Sequence, residues 1–159
     1  MHYRIEHRPA FSVIGLKRFI SFKKGGGEFG NFWQEVRQGD AAQRLVNLQN
    51  GFIDGILAIT LKSNEDDTEV TALLGYTSNT LSPVDEFDLY HYPATSWLVI
   101  EVIGRPSKAM RPVWQALYRG EYIPAGFSMS DLPPFEAYID HDLQSDSSKN
   151  ELWLGLKND

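Results

Sequence analysis

One pattern of residues recurs along this chain and limits its folds more than any other feature. Pro9-Ala10-Phe11-Ser12-Val13 is echoed by Pro93-Ala94-Thr95-Ser96-Trp97, and Phe32-Trp33-Gln34-Glu35-Val36 by Val113-Trp114-Gln115-Ala116-Leu117. The predicted elements repeat in the same order. Tyr3–Arg8 and Ser12–Ile20 read as strands broken at Pro9-Ala10. After a loop at Gly25-Gly26-Gly27, the residues Phe29, Phe32, Trp33 and Val36 fall on one face of a helix that stops at Gly39. Ala42, Leu45 and Val46 give a shorter helical spacing, ended by Asn50-Gly51. Ile53–Leu61 and Thr68–Tyr76 form a hairpin across the polar run Lys62–Asp67, and Asn79–Asp88 reads as loop.

The second half answers the first. Trp97–Ile103 is an almost continuous apolar run, suited to a strand covered on both faces. Met110, Val113, Trp114, Leu117 and Tyr118 have helical spacing up to Gly120, with Pro112 comfortable only in the first turn. Phe135–Asp140 and Glu151–Leu156 are the closing strands. The expectation is an α+β fold: one domain over residues 1–159, built from duplicated strand-helix-strand-strand units (about 1–80 and 88–159), with an antiparallel sheet and a pseudo-twofold cleft for a ligand. At 159 residues one sizeable core is feasible, burying roughly 70% of the unfolded surface.

Composition excludes several function classes. A net charge of −6 without a long basic cluster argues against nucleic acid as a partner. The start of the chain has no apolar leader and no stretch is long enough to span a bilayer, so a cytoplasmic protein is expected. With no cysteine, thiolate catalysis, disulfides and Cys-based metal sites are impossible. His2, His7, His91 and His141 lack metal-ligand spacing, so neither a metal nor another cofactor is expected. Gly25–Gly30 lacks the Gly-Lys-Ser/Thr ending of a phosphate loop.

Aromatic residues make up 13% of the chain, enough to furnish both a core and a binding site. In Phe135-Glu136-Ala137-Tyr138, strand alternation turns Glu136 and Tyr138 to one face and Phe135 and Ala137 to the other. A carboxylate among ring faces attracts an organic cation. A solvent-facing Glu136 with Phe135 in the core is the plainer alternative. Trp97 suits a pocket floor or the core equally well. Phe32 and Trp33 read as core, and Tyr76 and Tyr90, near strand ends, as possible pocket rims.

The segments Tyr92–Trp97, Gly104, Trp114–Tyr118, Pro134–Tyr138 and Glu151–Leu154 together resemble the GyrI-like effector-binding domain, a module attached to AraC-type and MerR-type transcription regulators. The resemblance spans almost the whole chain. It implies two related strand-helix-strand-strand units and a cleft where Glu136 is buried and unpaired, lined by Tyr138, Trp114, Tyr118 and Trp153. Trp153 stands where that family more often has tyrosine, and Leu154-Gly155 replaces its usual ending. The function implied is binding of bulky lipophilic cations by a sensor or sequestering protein rather than an enzyme, with no DNA-reading helix-turn-helix in the chain. Two further readings follow from the same resemblance. One is a hydrolase of strained electrophiles with Glu136 as general base; the other is a module that binds a protein partner, as a gyrase inhibitor does.

Overall fold

The computed structural model describes residues 2–140 and 142–159. Along the chain run β1 (Tyr3–Arg8), β2 (Phe11–Ser21), α1 (Gly27–Gln38), α2 (Ala42–Leu48), β3 (Ile56–Ser63), β4 (Glu69–Ser78), β5 (Asp88–Tyr92), β6 (Thr95–Ile103), α3 (Pro106–Tyr118), β7 (Phe127–Met129), β8 (Phe135–Tyr138) and β9 (Lys149–Asn158). The strand pairings are antiparallel and the fold is α+β. Two compact units form, one of Phe11–Tyr92 and one of Met1–Ala10 with Pro93–Asp159. No described helix is long and apolar enough to cross a membrane.

In the Phe11–Tyr92 unit the strands lie in the order β3-β4-β2-β5. Helix α1 buries Phe32, Trp33 and Val36 and leaves Phe29 half-buried against Phe22. It ends where the Gly39 N–H reaches the Glu35 carbonyl at 2.9 Å. The β3-β4 hairpin closes through Asn64 and Asp67, the latter at φ 59°, and carries a bulge between Thr60 and Lys62. Gly15 and Gly75 face each other across β2 and β4. A Cβ on Gly75 would stand 1.9 Å from the Ile14 carbonyl oxygen, and one on Gly15 2.1 Å from that of Leu74, so neither position has room for a side chain.

In the other unit the order is β1-β6-β9-β8, with β7 also paired to β9. Trp97, Leu98, Val99 and Ile100 of β6 are completely buried, as their unbroken apolar run requires. Helix α3 packs on β6 through Met110, Val113, Ala116 and Leu117. One expectation is corrected here. The helix begins at Pro106, which fills the first-turn position tolerant of a missing N–H, so Pro112 lies inside it. Strands β5 and β7 were also not anticipated; each is short, and β7 has only three residues.

Both units contain the same series, β2-α1-β3-β4 and β6-α3-β8-β9, with the first strand beside the last in each. The compact units nevertheless divide the chain differently from halves at 1–80 and 88–159. Strand β1 leads into β2 but pairs with β6, and β5 leads into β6 but pairs with β2. Pro9-Ala10 and Pro93-Ala94 mark the two junctions, where the missing proline N–H interrupts each ladder.

Candidate functional site

Strand β8 is four residues long and pairs with β9 as Phe135↔Trp153, Glu136↔Leu152, Ala137↔Glu151 and Tyr138↔Asn150. Alternation gives Glu136 and Tyr138 a common face, and the tyrosine hydroxyl donates to Glu136 Oε2 at 2.5 Å. Helix α3 covers this face. From it, Trp114 Nε1–H donates to Glu136 Oε1 at 3.1 Å. Each carboxylate oxygen thus meets one uncharged donor. Among the described residues no Lys, Arg or His forms an ion pair with Glu136.

Burial pushes the Glu136 carboxyl above its ordinary pKa, while the hydrogen bonds from Tyr138 and Trp114 pull it down; burial dominates. The Tyr138 phenol is driven well above its usual range, first by burial and then by the charge of Glu136 and the bond to it. One helical turn beyond Trp114, Tyr118 stacks on it at 6.0 Å with 29° between the planes. Tyr118 is 70% exposed, whereas Tyr138 is 4% exposed. The structure therefore joins four of the expected residues, Glu136, Tyr138, Trp114 and Tyr118, in a path from a buried phenol to a surface ring.

Trp153 and Trp97 are not part of this group. Being paired with Phe135 and Gly155, they lie on the opposite face of the same sheet, and both are buried. Phe135 stacks on Trp153 at 5.4 Å, and Trp97 meets both rings edge-on at 5.3 and 5.9 Å. The Arg8 guanidinium covers Trp153 at 5.4 Å, and Trp153 Nε1–H donates to Glu151. Tyr76 and Tyr90 belong to the Phe11–Tyr92 unit. Tyr76 is buried, and Tyr90 packs 4.7 Å from Tyr92, which stacks on Phe11. Burial raises both phenol pKa values, with Arg37 opposing the rise at Tyr76. From the sequence Tyr92 reads as the start of the segment Tyr92–Trp97 and not as the end of a strand. The alternation Leu89, Tyr90, His91, Tyr92 is its signal, visible once β5 is recognised as a strand.

The internal repeat supplies a comparison. Following the register from β6 to β2, the position of Glu136 is taken by Ala58, while Trp114 and Tyr118 correspond to Trp33 and Arg37. The Arg37 guanidinium sits 5.8 Å over the Trp33 ring. The same architecture therefore presents a carboxylate in one unit and a cation already on its ring in the other. No group of three His, Cys, Asp or Glu side chains able to hold a metal occurs among the described residues, and His141 lies outside them.

Residues 4–156 match the model of the Cass2 family, the integron-associated effector binding proteins. The chain belongs to this family. Solved structures share the fold. SAV2435 bound to tetraphenylphosphonium superposes with a TM-score of 0.74 at 21% identity, over 99% of this chain and 94% of that one. The C-terminal domain of EcmrR gives 0.68 at 12%, covering 99% and 98%. The Cass2 integron cassette protein of Vibrio cholerae gives 0.62 at 14%, covering 98% and 95%. No curated protein sequence matches the chain. Membership of the Cass2 family makes this an effector-binding protein, consistent with binding of a small molecule.

Proposed function

We propose that this Cass2-family protein binds bulky lipophilic cations, with Glu136 as countercharge and Trp114, Tyr118 and Tyr138 as the rings against which the cation packs, and that it works in the cytoplasm as a sensor or sequestering protein of the GyrI-like kind. One observation carries the reading. Glu136 is half-buried and partly desolvated, steadied by two neutral donors and left without an ion-pair partner among the described residues. Desolvation without neutralisation costs free energy, and an arriving cation offsets that cost. The Trp114 and Tyr138 donors fix the carboxylate in one orientation, so little ordering remains to be done when the ligand binds. Ring contacts add cation–π attraction and apolar burial, both loosely directional, so selectivity for charge exceeds selectivity for shape. The tetraphenylphosphonium held by SAV2435 supports this ligand class.

The test is a titration with tetraphenylphosphonium, followed by tryptophan fluorescence, beside the neutral triphenylphosphine oxide and the Glu136→Gln variant. The variant keeps an acceptor oxygen for one of the two donors, and its amide N–H can donate to the Tyr138 hydroxyl in place of the other bond. It is expected to lose at least about tenfold in affinity for the cation, ~1.4 kcal/mol, and to leave binding of the neutral compound unaffected. Equal cation binding by the variant would place Glu136 outside the site. Mass spectrometry of recovered ligand separates binding from hydrolysis.

A further inference from the structure

In the sheet containing it, β1 has one partner, β6, among the described residues. Tyr3 and Ile5 are 54% and 46% exposed, and the strand has neither the proline nor the lysine that commonly blunts an edge. Its register shows which backbone groups are available. The His2 carbonyl accepts from the Glu101 N–H at 2.9 Å. Bonded and non-bonded pairs alternate in an antiparallel ladder, so Arg4, Glu6 and Arg8 bond to β6 while the N–H and C=O groups of Tyr3, Ile5 and His7 point away from it.

We propose that this edge is a homodimer interface in which β1 strands of two copies pair antiparallel about a twofold axis at Ile5. Backbone and side chains select the same register. Centring on Ile5 makes Ile5 with the partner's Ile5, and Tyr3 with the partner's His7, hydrogen-bonding pairs, which uses the outward-pointing groups. On the other face it sets Arg4 opposite the partner's Glu6, and the converse, giving two opposite-charge pairs in the closely spaced non-bonded positions. Other registers fail. A twofold at Glu6 would need groups already bonded to β6 and would oppose Arg4 to the partner's Arg8. A twofold at His7 would set Ile5 against the partner's Pro9, which has no N–H. A twofold at Tyr3 would leave Tyr3 as the one strand residue with a counterpart in the partner's strand, because β1 starts there.

Sedimentation equilibrium of the full chain, over concentrations from about 1 μM to 1 mM, a span chosen to cover weak and moderate dimers, is expected to show reversible dimerisation. Ile5→Pro should abolish it without changing the circular dichroism, because the lost N–H makes no bond to β6. The absence of native cysteine allows the register to be read directly. In the proposed pairing an Ile5→Cys residue lies about 5.5 Å (Cα to Cα) from its counterpart, within disulfide reach, whereas His7→Cys lies roughly 14 Å away along the strand and outside it. Oxidation should therefore cross-link Ile5→Cys and not His7→Cys. A monomer at every concentration, an Ile5→Pro variant that still dimerises, or equal cross-linking of both cysteine variants would overturn the proposal.

Discussion

Glu136 is held by two donors of different kinds, and the difference makes them separable. The Tyr138 hydroxyl and the Trp114 N–H both favour the ionised carboxyl, against a larger effect of burial. Replacing Tyr138 by Phe removes one donor and keeps the ring, so the carboxyl pKa should move further up. Cation binding, which needs the ionised form, should then fade at a higher pH than in the wild type; fluorescence titrations at a series of pH values would measure the displacement. The effect on stability follows by linkage. A carboxyl with a folded-state pKa above its unfolded value binds protons more tightly when folded, so the empty protein gains stability as pH falls through the folded pKa towards the ordinary value of 4.5. Glu136→Gln should lack that gain, so the Tm of the wild type should rise relative to that of the variant on acidification across this window. At this scale alternation alone was enough to put Glu136 and Tyr138 on one face. Trp114 is far from Glu136 in sequence and reaches it only because α3 folds over the sheet, a contact that no local spacing encodes.

Strands β2 and β4 approach so closely at Gly15 and Gly75 that these glycines are required for packing rather than for a turn. Gly75→Ala would drive a methyl group into the Ile14 carbonyl, and the strands would have to separate to admit it. A loss of about 2 kcal/mol, or ~6 °C in Tm, is expected in thermal unfolding followed by circular dichroism. Gly30, exposed on α1 with nothing near its Cβ position, is the control. There alanine should stabilise by roughly 0.5–1 kcal/mol through helix propensity. Elements differed in how visible they were from sequence. Helix α1 was plain because Phe32, Trp33 and Val36 repeat at helical spacing and all become buried. The start of α3 was obscured because Pro112 looks like a first-turn residue while Pro106 takes that place. Strand β7 has three residues and no alternation to detect, and it exists because β9 continues far enough to pair with it.

For the molecule as a whole, the duplication predicts a stoichiometry. Each unit repeats strand-helix-strand-strand, but Ala58 stands where Glu136 does and Arg37 covers Trp33, so only one unit carries a carboxylate for a cation. Calorimetry with tetraphenylphosphonium should give one ligand per chain. Two equivalent sites would mean that rings without a carboxylate suffice, which would undercut the role assigned to Glu136. The amino-acid sequence alone determined the α+β class, the repeated order of elements, the β3-β4 hairpin and the shared face of Glu136 and Tyr138, because each follows from periodicity within a few residues. Tertiary structure decided the rest. It exchanged β1 and β5 between the repeats, turned Trp97 and Trp153 to the face away from Glu136, and brought Trp114 onto the carboxylate. Those outcomes depend on which strands pair and which face a helix covers, and such choices are made by burial and backbone hydrogen bonding between segments far apart in the chain.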